Sequence, residues 1–179
     1  MKKKPEKKCF IVLGMHRSAT SLTAKALATQ IYMGEKFLPP HPTNPHGFYE
    51  DQDIIKLNNK ILQMAGGLWY KPPSEEAILA VRPRIEEQIK ALMEKKFSDK
   101  HFYGWKDPRT TLTIKLFMPY LHNPHFIACF RDPLKTAKSL ATREHSFSLP
   151  QCLELTKVYN QRMLKFLSEY SGSGEFTAL

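Results

Sequence analysis

The chain has 179 residues, 42% hydrophobic and 25% charged, the make-up of a soluble globular protein with length for one core. No run approaches transmembrane length, and the three cysteines, Cys9, Cys129 and Cys152, make no disulfide framework. A membrane span and a disulfide scaffold are thereby excluded. The net charge of +10 points to polyanions, either a nucleotide with several phosphate and sulfate charges or nucleic acid.

Residues 1–8, MKKKPEKK, read as a basic, solvated tail. The apolar stretch CFIVLGM after it is too short for a signal peptide, runs into His16 and Arg17, and has no small-residue cleavage site, so a cytoplasmic protein is expected. Residues 9–13 form an apolar run of strand formers, the pattern of a strand covered on both faces. Gly14 permits a sharp turn. From Ser18 the spacing becomes helical, with Leu22 and Ala26 on one side, Ser18 and Thr20 as candidate caps, and an end near Ile31. FLPPHPTNPHGFYED must be a loop. Residues 51–64 read as an amphipathic helix, broken by Gly66, Gly67, Pro72 and Pro73. Ser74 caps a helix over 75–96 that restarts or kinks at Pro83. HFYGW at 101–105 is a strand, 111–121 a short helix and HFIACF at 125–130 a second clear apolar strand. Helices over 134–144 and 149–170 complete a domain spanning 9–170, and residues 171–179, SGSGEFTAL, read as a flexible tail. Strands alternating with helices predict an α/β fold around a mostly parallel sheet.

In such a sheet the ligand sits beyond the carboxyl ends of the strands. Three strands here run into charged sequence: GMHRS, KDPR and RDPLKTAKS. The first is a strand–loop–helix joint whose free backbone N–H groups and helix dipole form an anion cradle. A Walker A loop would need glycine at position 19 and lysine at position 20, and the chain has Ala19 and Thr20. Ser21 stands where the magnesium-binding hydroxyl would be, and the cation comes early, at Arg17. Such a loop is poorly equipped to grip the β- and γ-phosphates of a triphosphate.

GMHRSATS instead resembles the 5′-phosphosulfate loop of sulfotransferases that use 3′-phosphoadenosine 5′-phosphosulfate (PAPS), with Ala19 in place of the usual glycine. That resemblance implies a three-layer P-loop-like fold and assigns the 5′ end of the nucleotide to Arg17, Ser18, Ala19, Thr20 and Ser21. Sulfotransferases also share an Arg and a Ser that hold the 3′-phosphate, and RDPLKTAKSL supplies Arg131 and Ser139 at that spacing. GWKDPR resembles the Lys-Asp-Pro of tyrosylprotein-type and bacterial members, which makes Lys106 the cation facing the transferring group. Arg109 is either a further sulfate contact or a helix amino-terminal residue. Glu50, in a comparable place to the glutamate of the tyrosylprotein enzymes, is the candidate base for the acceptor hydroxyl, while Asp51 looks more like a helix cap. Members of that family continue past the helix ending near Tyr170, so truncation at the C-terminal end is one reading of the chain.

The structural alternatives are specific: Arg131–Asp132 as a helix-entry ion pair, Lys106 pairing with Asp107, and Glu50 or Asp51 as caps. His16, His41 and His46 lie in or near the cleft without metal-site spacing, so no metal is expected. Phe48, Tyr49, Trp69 and Trp105 are candidates for an acceptor pocket or for core. Two rival functions remain. A small-molecule P-loop kinase lacks its Walker lysine. A nucleotide- or nucleic-acid-binding module is motivated by the charge alone, with no arginine-rich face and no zinc-finger or helix-turn-helix signature.

Overall fold

A computed structural model describes residues 6–42, 44, 45 and 47–171; the readings of residues 1–5, of His46 and of 172–179 lie outside it. The elements run β1 (Lys8–Gly14), α1 (Thr20–Leu27), α2 (Gln52–Met64), α3 (Glu75–Ala80), α4 (Arg82–Phe97), β2 (Phe102–Lys106), α5 (Thr110–Phe117), β3 (Pro124–Cys129), α6 (Pro133–Arg143) and α7 (Leu149–Ser171), with a short 3₁₀ turn Met118–Tyr120 after α5. The three strands form a parallel sheet in the order β2-β1-β3, flanked by helices. Among the described residues no helix is long and apolar enough to cross a membrane.

β1 is central because both its faces are apolar. Cys9, Ile11 and Leu13 face the larger core, with the apolar sides of α2 to α7. Val12 faces the smaller one, with Ala24 of α1, Met33 and Cys129. The three cysteines are free and buried, and burial pushes the Cys9 thiol up to about 12, which leaves it unreactive. The strand begins at Lys8, inside the segment read as a tail. Gly104 sets the contact with β2: a Cβ there would stand 1.9 Å from the Phe10 carbonyl oxygen.

Two local expectations are corrected. The buried side of α1 is Thr20 and Ala24, while Leu22 is 70% exposed and Ala26 is exposed too. Small side chains let α1 approach the turn at Gly14, whose own Cβ would meet Thr20 Cγ2 and the Cys129 carbonyl at 2.8 Å. The helix also ends at Leu27 rather than Ile31, and its N-cap is Ala19, with no side-chain cap bond from Ser18 or Thr20. Elsewhere the punctuation behaves as its chemistry demands. Ser74 Oγ accepts from the Ala77 N–H at 3.1 Å, the helix restarts at Arg82–Pro83, and Asp51 caps α2 by accepting from the Asp53 N–H at 2.9 Å.

Candidate functional site

The carboxyl ends of the three strands open on one cavity of about 270 Å³. The loop after β1 contributes His16, Arg17, Ala19, Thr20 and Ser21 to its wall; the end of β2 contributes Lys106 and Pro108; the segment after β3 contributes Arg131. Asn44, Phe48 and Glu50 come from the Pro-rich loop, and Arg143 from the last turn of α6.

The β1–α1 loop is bent by two non-glycine residues with left-handed backbone, Arg17 (φ +69) and Ala19 (φ +64). A Cβ in that region costs about 1–2 kcal/mol per residue, so the shape is held against a local preference. The result turns the start of α1 toward the cavity, where the first-turn amides have no intrahelical acceptor. Ser18 differs from its neighbours: its N–H donates to the Met15 carbonyl at 3.2 Å, and its side chain is buried away from the cavity wall. Ser21 Oγ donates to the Phe48 carbonyl at 3.2 Å and accepts from Lys106 Nζ at 3.2 Å, which joins the loop, the Pro-rich segment and β2.

Arg17 does not stay with the loop. Its Nε donates to Ser139 Oγ at 2.9 Å, and Arg131 Nη1 donates to the Arg17 carbonyl at 3.0 Å. The residues expected to hold the two ends of a nucleotide therefore form one connected cluster. Burial, with Arg143 and Arg131 close by, pulls the Arg17 pKa down. Three guanidiniums around one cavity repel one another, and an anion placed between them would relieve that repulsion.

The opposite wall is an ion-pair network. Lys106 and Glu50 are both buried, with Nζ 2.6 Å from Oε1. Arg109 Nη1 lies 2.8 Å from Asp107 Oδ1 and 3.7 Å from Glu50 Oε2. Burial and the neighbouring Asp107 raise the Glu50 pKa, opposed by Lys106 and Arg109, and the balance leaves it above the ordinary carboxylate value. Arg109 is thus more than a helix amino-terminal residue. Asp51, the other carboxylate weighed as a base, is fully engaged: besides its cap it accepts from the Glu35 N–H at 3.2 Å and pairs with Lys96 at 2.8 Å.

His16 lines the cavity, is 6% exposed and lies against Trp69 with ring centroids 4.5 Å apart and the rings tilted by 47°. Its Nε2 has no hydrogen-bond partner among the described residues. Burial first, then the charges of Arg109, Arg143, Lys106 and Arg17, push its pKa well below the ordinary imidazole value, so it is uncharged. His41 is exposed in the Pro-rich loop and does not line the cavity. Phe48 lines the cavity, and Tyr49 lines an adjoining groove that shares Ser21, Leu22 and Asn44 with it. Trp105 is core: it is fully buried, with Nε1 donating to Thr110 Oγ1 at 3.0 Å.

Asn44 and Arg143 escaped the reading of the sequence. Arg143 carried a signal, since it lies one helical turn beyond Ser139 on α6. Asn44 carried none. Among the described residues no group of His, Cys, Asp or Glu could hold a metal ion. Compared with known proteins, the chain matches no family model and no curated protein.

Proposed function

We propose that the protein is a PAPS-dependent sulfotransferase with a P-loop-like fold, which passes the sulfuryl group to an acceptor hydroxyl or amine. The observation that carries the reading is the meeting of three distant motifs at one cavity. Arg17 reaches Ser139, Arg131 reaches Arg17, and Lys106 lies on Glu50 with Ser21 beside it. The sequence assigned Arg17 and Ser21 to the 5′ end of the nucleotide, Arg131 and Ser139 to its 3′-phosphate, Lys106 to the transferring group and Glu50 to the acceptor proton.

The amides of Ala19, Thr20 and Ser21 and the Arg17 guanidinium hold the 5′ end, while Arg131 and Ser139, the latter hydrogen-bonded to Arg17, hold the 3′-phosphate. The acceptor oxygen attacks sulfur in line, and the bond from sulfur to the bridging oxygen breaks. Negative charge grows on that oxygen, where a fixed ammonium stabilises the transition state more than the ground state. Lys106 supplies it. Glu50 takes the acceptor proton, and the upward shift that burial gives its carboxyl favours that role. The two neutralise each other in the structure. Ligand entry must therefore separate them, turning Lys106 to the leaving oxygen and Glu50 to the acceptor. The cationic side chains provide the positive charge, so the reaction needs no metal.

The test is a binding panel by calorimetry and thermal shift: 3′-phosphoadenosine 5′-phosphate (PAP), AMP, ATP with magnesium, and RNA. PAP should stabilise the protein most, because only a 3′-phosphate gives Arg131 and Ser139 a ligand partner beyond their bonds to Arg17. Equal shifts for PAP and AMP count against the reading. A preference for ATP with magnesium favours a kinase, and steeply salt-dependent RNA binding favours a nucleic-acid module.

A further inference from the structure

Behind the Lys106–Glu50 pair lies a polar cluster that the proposed chemistry does not use. Asn58, on α2, is fully buried among the apolar residues that give that helix its core face. Its amide is satisfied on both sides. Nδ2 donates to Asp107 Oδ2 at 2.8 Å and to Thr110 Oγ1 at 3.0 Å, and Oδ1 accepts from the Thr113 hydroxyl at 2.7 Å. Asp107, also fully buried, thus commits one oxygen to Asn58. Its other oxygen accepts twice from Arg109, from the backbone N–H at 3.1 Å and from Nη1 at 2.8 Å. That same Nη1 is the atom 3.7 Å from Glu50 Oε2. Two carboxylates and two cations form a neutral set in which Arg109 is shared unequally.

We propose that Asn58 is a positioning residue of this site: by occupying Asp107 Oδ2 it fixes how Arg109 is divided between Asp107 and Glu50, and so whether Glu50 meets an acceptor as a carboxylate or an acid. It touches neither nucleotide nor acceptor and acts through Asp107 and Arg109. The functional meaning rests on Glu50 being the base; the linkage itself does not.

The residue type fits the task. An aspartate would add a third carboxylate to a buried set, and an apolar side chain would leave Asp107 Oδ2 without its partner and take one bond from each of two threonine hydroxyls. With one oxygen released, Asp107 would draw Arg109 further from Glu50. The other groups facing Glu50 do not compensate. Lys106 is already in contact, while His16 and Tyr159 of α7 are both held neutral, the first by burial and nearby cations, the second mainly by burial.

The experiment follows the Glu50 carboxyl by carbon-13 NMR in the full chain without ligand. Asn58→Leu should raise its titration midpoint by about one pH unit, the scale of losing a neighbouring cation. Thr113→Val, which removes the hydroxyl that orients Asn58 at 2.7 Å and a longer 3.4 Å contact to the Arg109 carbonyl, should move it the same way by less. In an Asp107→Asn background neither substitution should move it, because the link through Asp107 is gone. If Asn58 is only a packing residue, Asn58→Leu lowers the melting temperature and leaves the Glu50 midpoint in place, and that result overturns the proposal. Should Asn58→Leu fail to fold, an unmoved midpoint in folded Thr113→Val overturns it equally. The titration needs no nucleotide. Failure to bind PAP with the midpoint shifts intact sinks the sulfotransferase reading alone, and PAP binding with an immobile midpoint sinks this one alone.

Discussion

Two residues of the cavity make separable predictions. If Lys106 stabilises charge on the leaving oxygen, Lys106→Ala should lower kcat by about a hundredfold or more and change PAPS affinity much less. Lys106→Arg should rescue only in part, since a planar fork does not place its charge as an ammonium does. Turnover of PAPS, with an acceptor or with water, is the measurement, and normal turnover in the alanine variant removes Lys106 from the mechanism. His16 predicts an acid sensitivity. The unfolded imidazole binds a proton near pH 6.5, and the folded one only well below that. Between those values the unfolded state holds more protons, so stability is lost as pH falls below about 6.5. One pH unit below the unfolded midpoint, at pH 5.5, the cost is on the order of 1 kcal/mol. His16→Gln should flatten that loss in urea denaturation at pH 7.5 and 5.5, and an equal loss in both proteins would show that another group carries it.

At the scale of an element, the β1–α1 joint is the strained one. Ala19 caps α1 with left-handed backbone that glycine adopts freely. Ala19→Gly should therefore stabilise the protein by about 0.5–1 kcal/mol, the relief of a Cβ less the added freedom of the unfolded chain. Urea midpoints measure it, and a destabilised variant would mean that the methyl packs usefully in the cavity wall. The same joint shows why the helix face was misread. Hydrophobicity placed Leu22 inward, but what lets α1 approach Gly14 is smallness, at Thr20 and Ala24. Leu22 is left on the cavity rim. Asn58 was passed over for a related reason: a periodicity reading of α2 counts its apolar positions and treats a polar residue among them as a gap.

For the whole molecule, the cavity concentrates positive charge at one end of the sheet, and anions should stabilise the protein. Sodium sulfate should raise the melting temperature more than sodium chloride at matched ionic strength. Part of that gain is the general salting effect of sulfate, so the diagnostic is its reduction in Arg131→Ala. An undiminished gain in that variant would mean that sulfate acts on the surface at large. The strands, their order along the chain and the convergence of their charged ends were legible in the sequence, because apolar runs and the strand–loop–helix rhythm report burial directly. The connection of Arg17 to Ser139 was not, since it depends on a left-handed turn that an arginine rarely makes. Arg143 was legible only through its place one helical turn beyond Ser139 on α6, not through any motif of its own.

The central place of β1 has a kinetic consequence. Its partners are residues 102–106 and 124–129, so the first strand of the chain is completed last. During synthesis CFIVLG must wait, apolar and with at least one edge unpaired, until the chain has been made past Cys129. Long-range parallel pairing of this kind folds slowly, on the order of milliseconds to seconds, and exposes a sticky edge meanwhile. Refolding yield should therefore fall with protein concentration, and a chain stopped before residue 124 should retain helices yet lack the sheet that gathers the site.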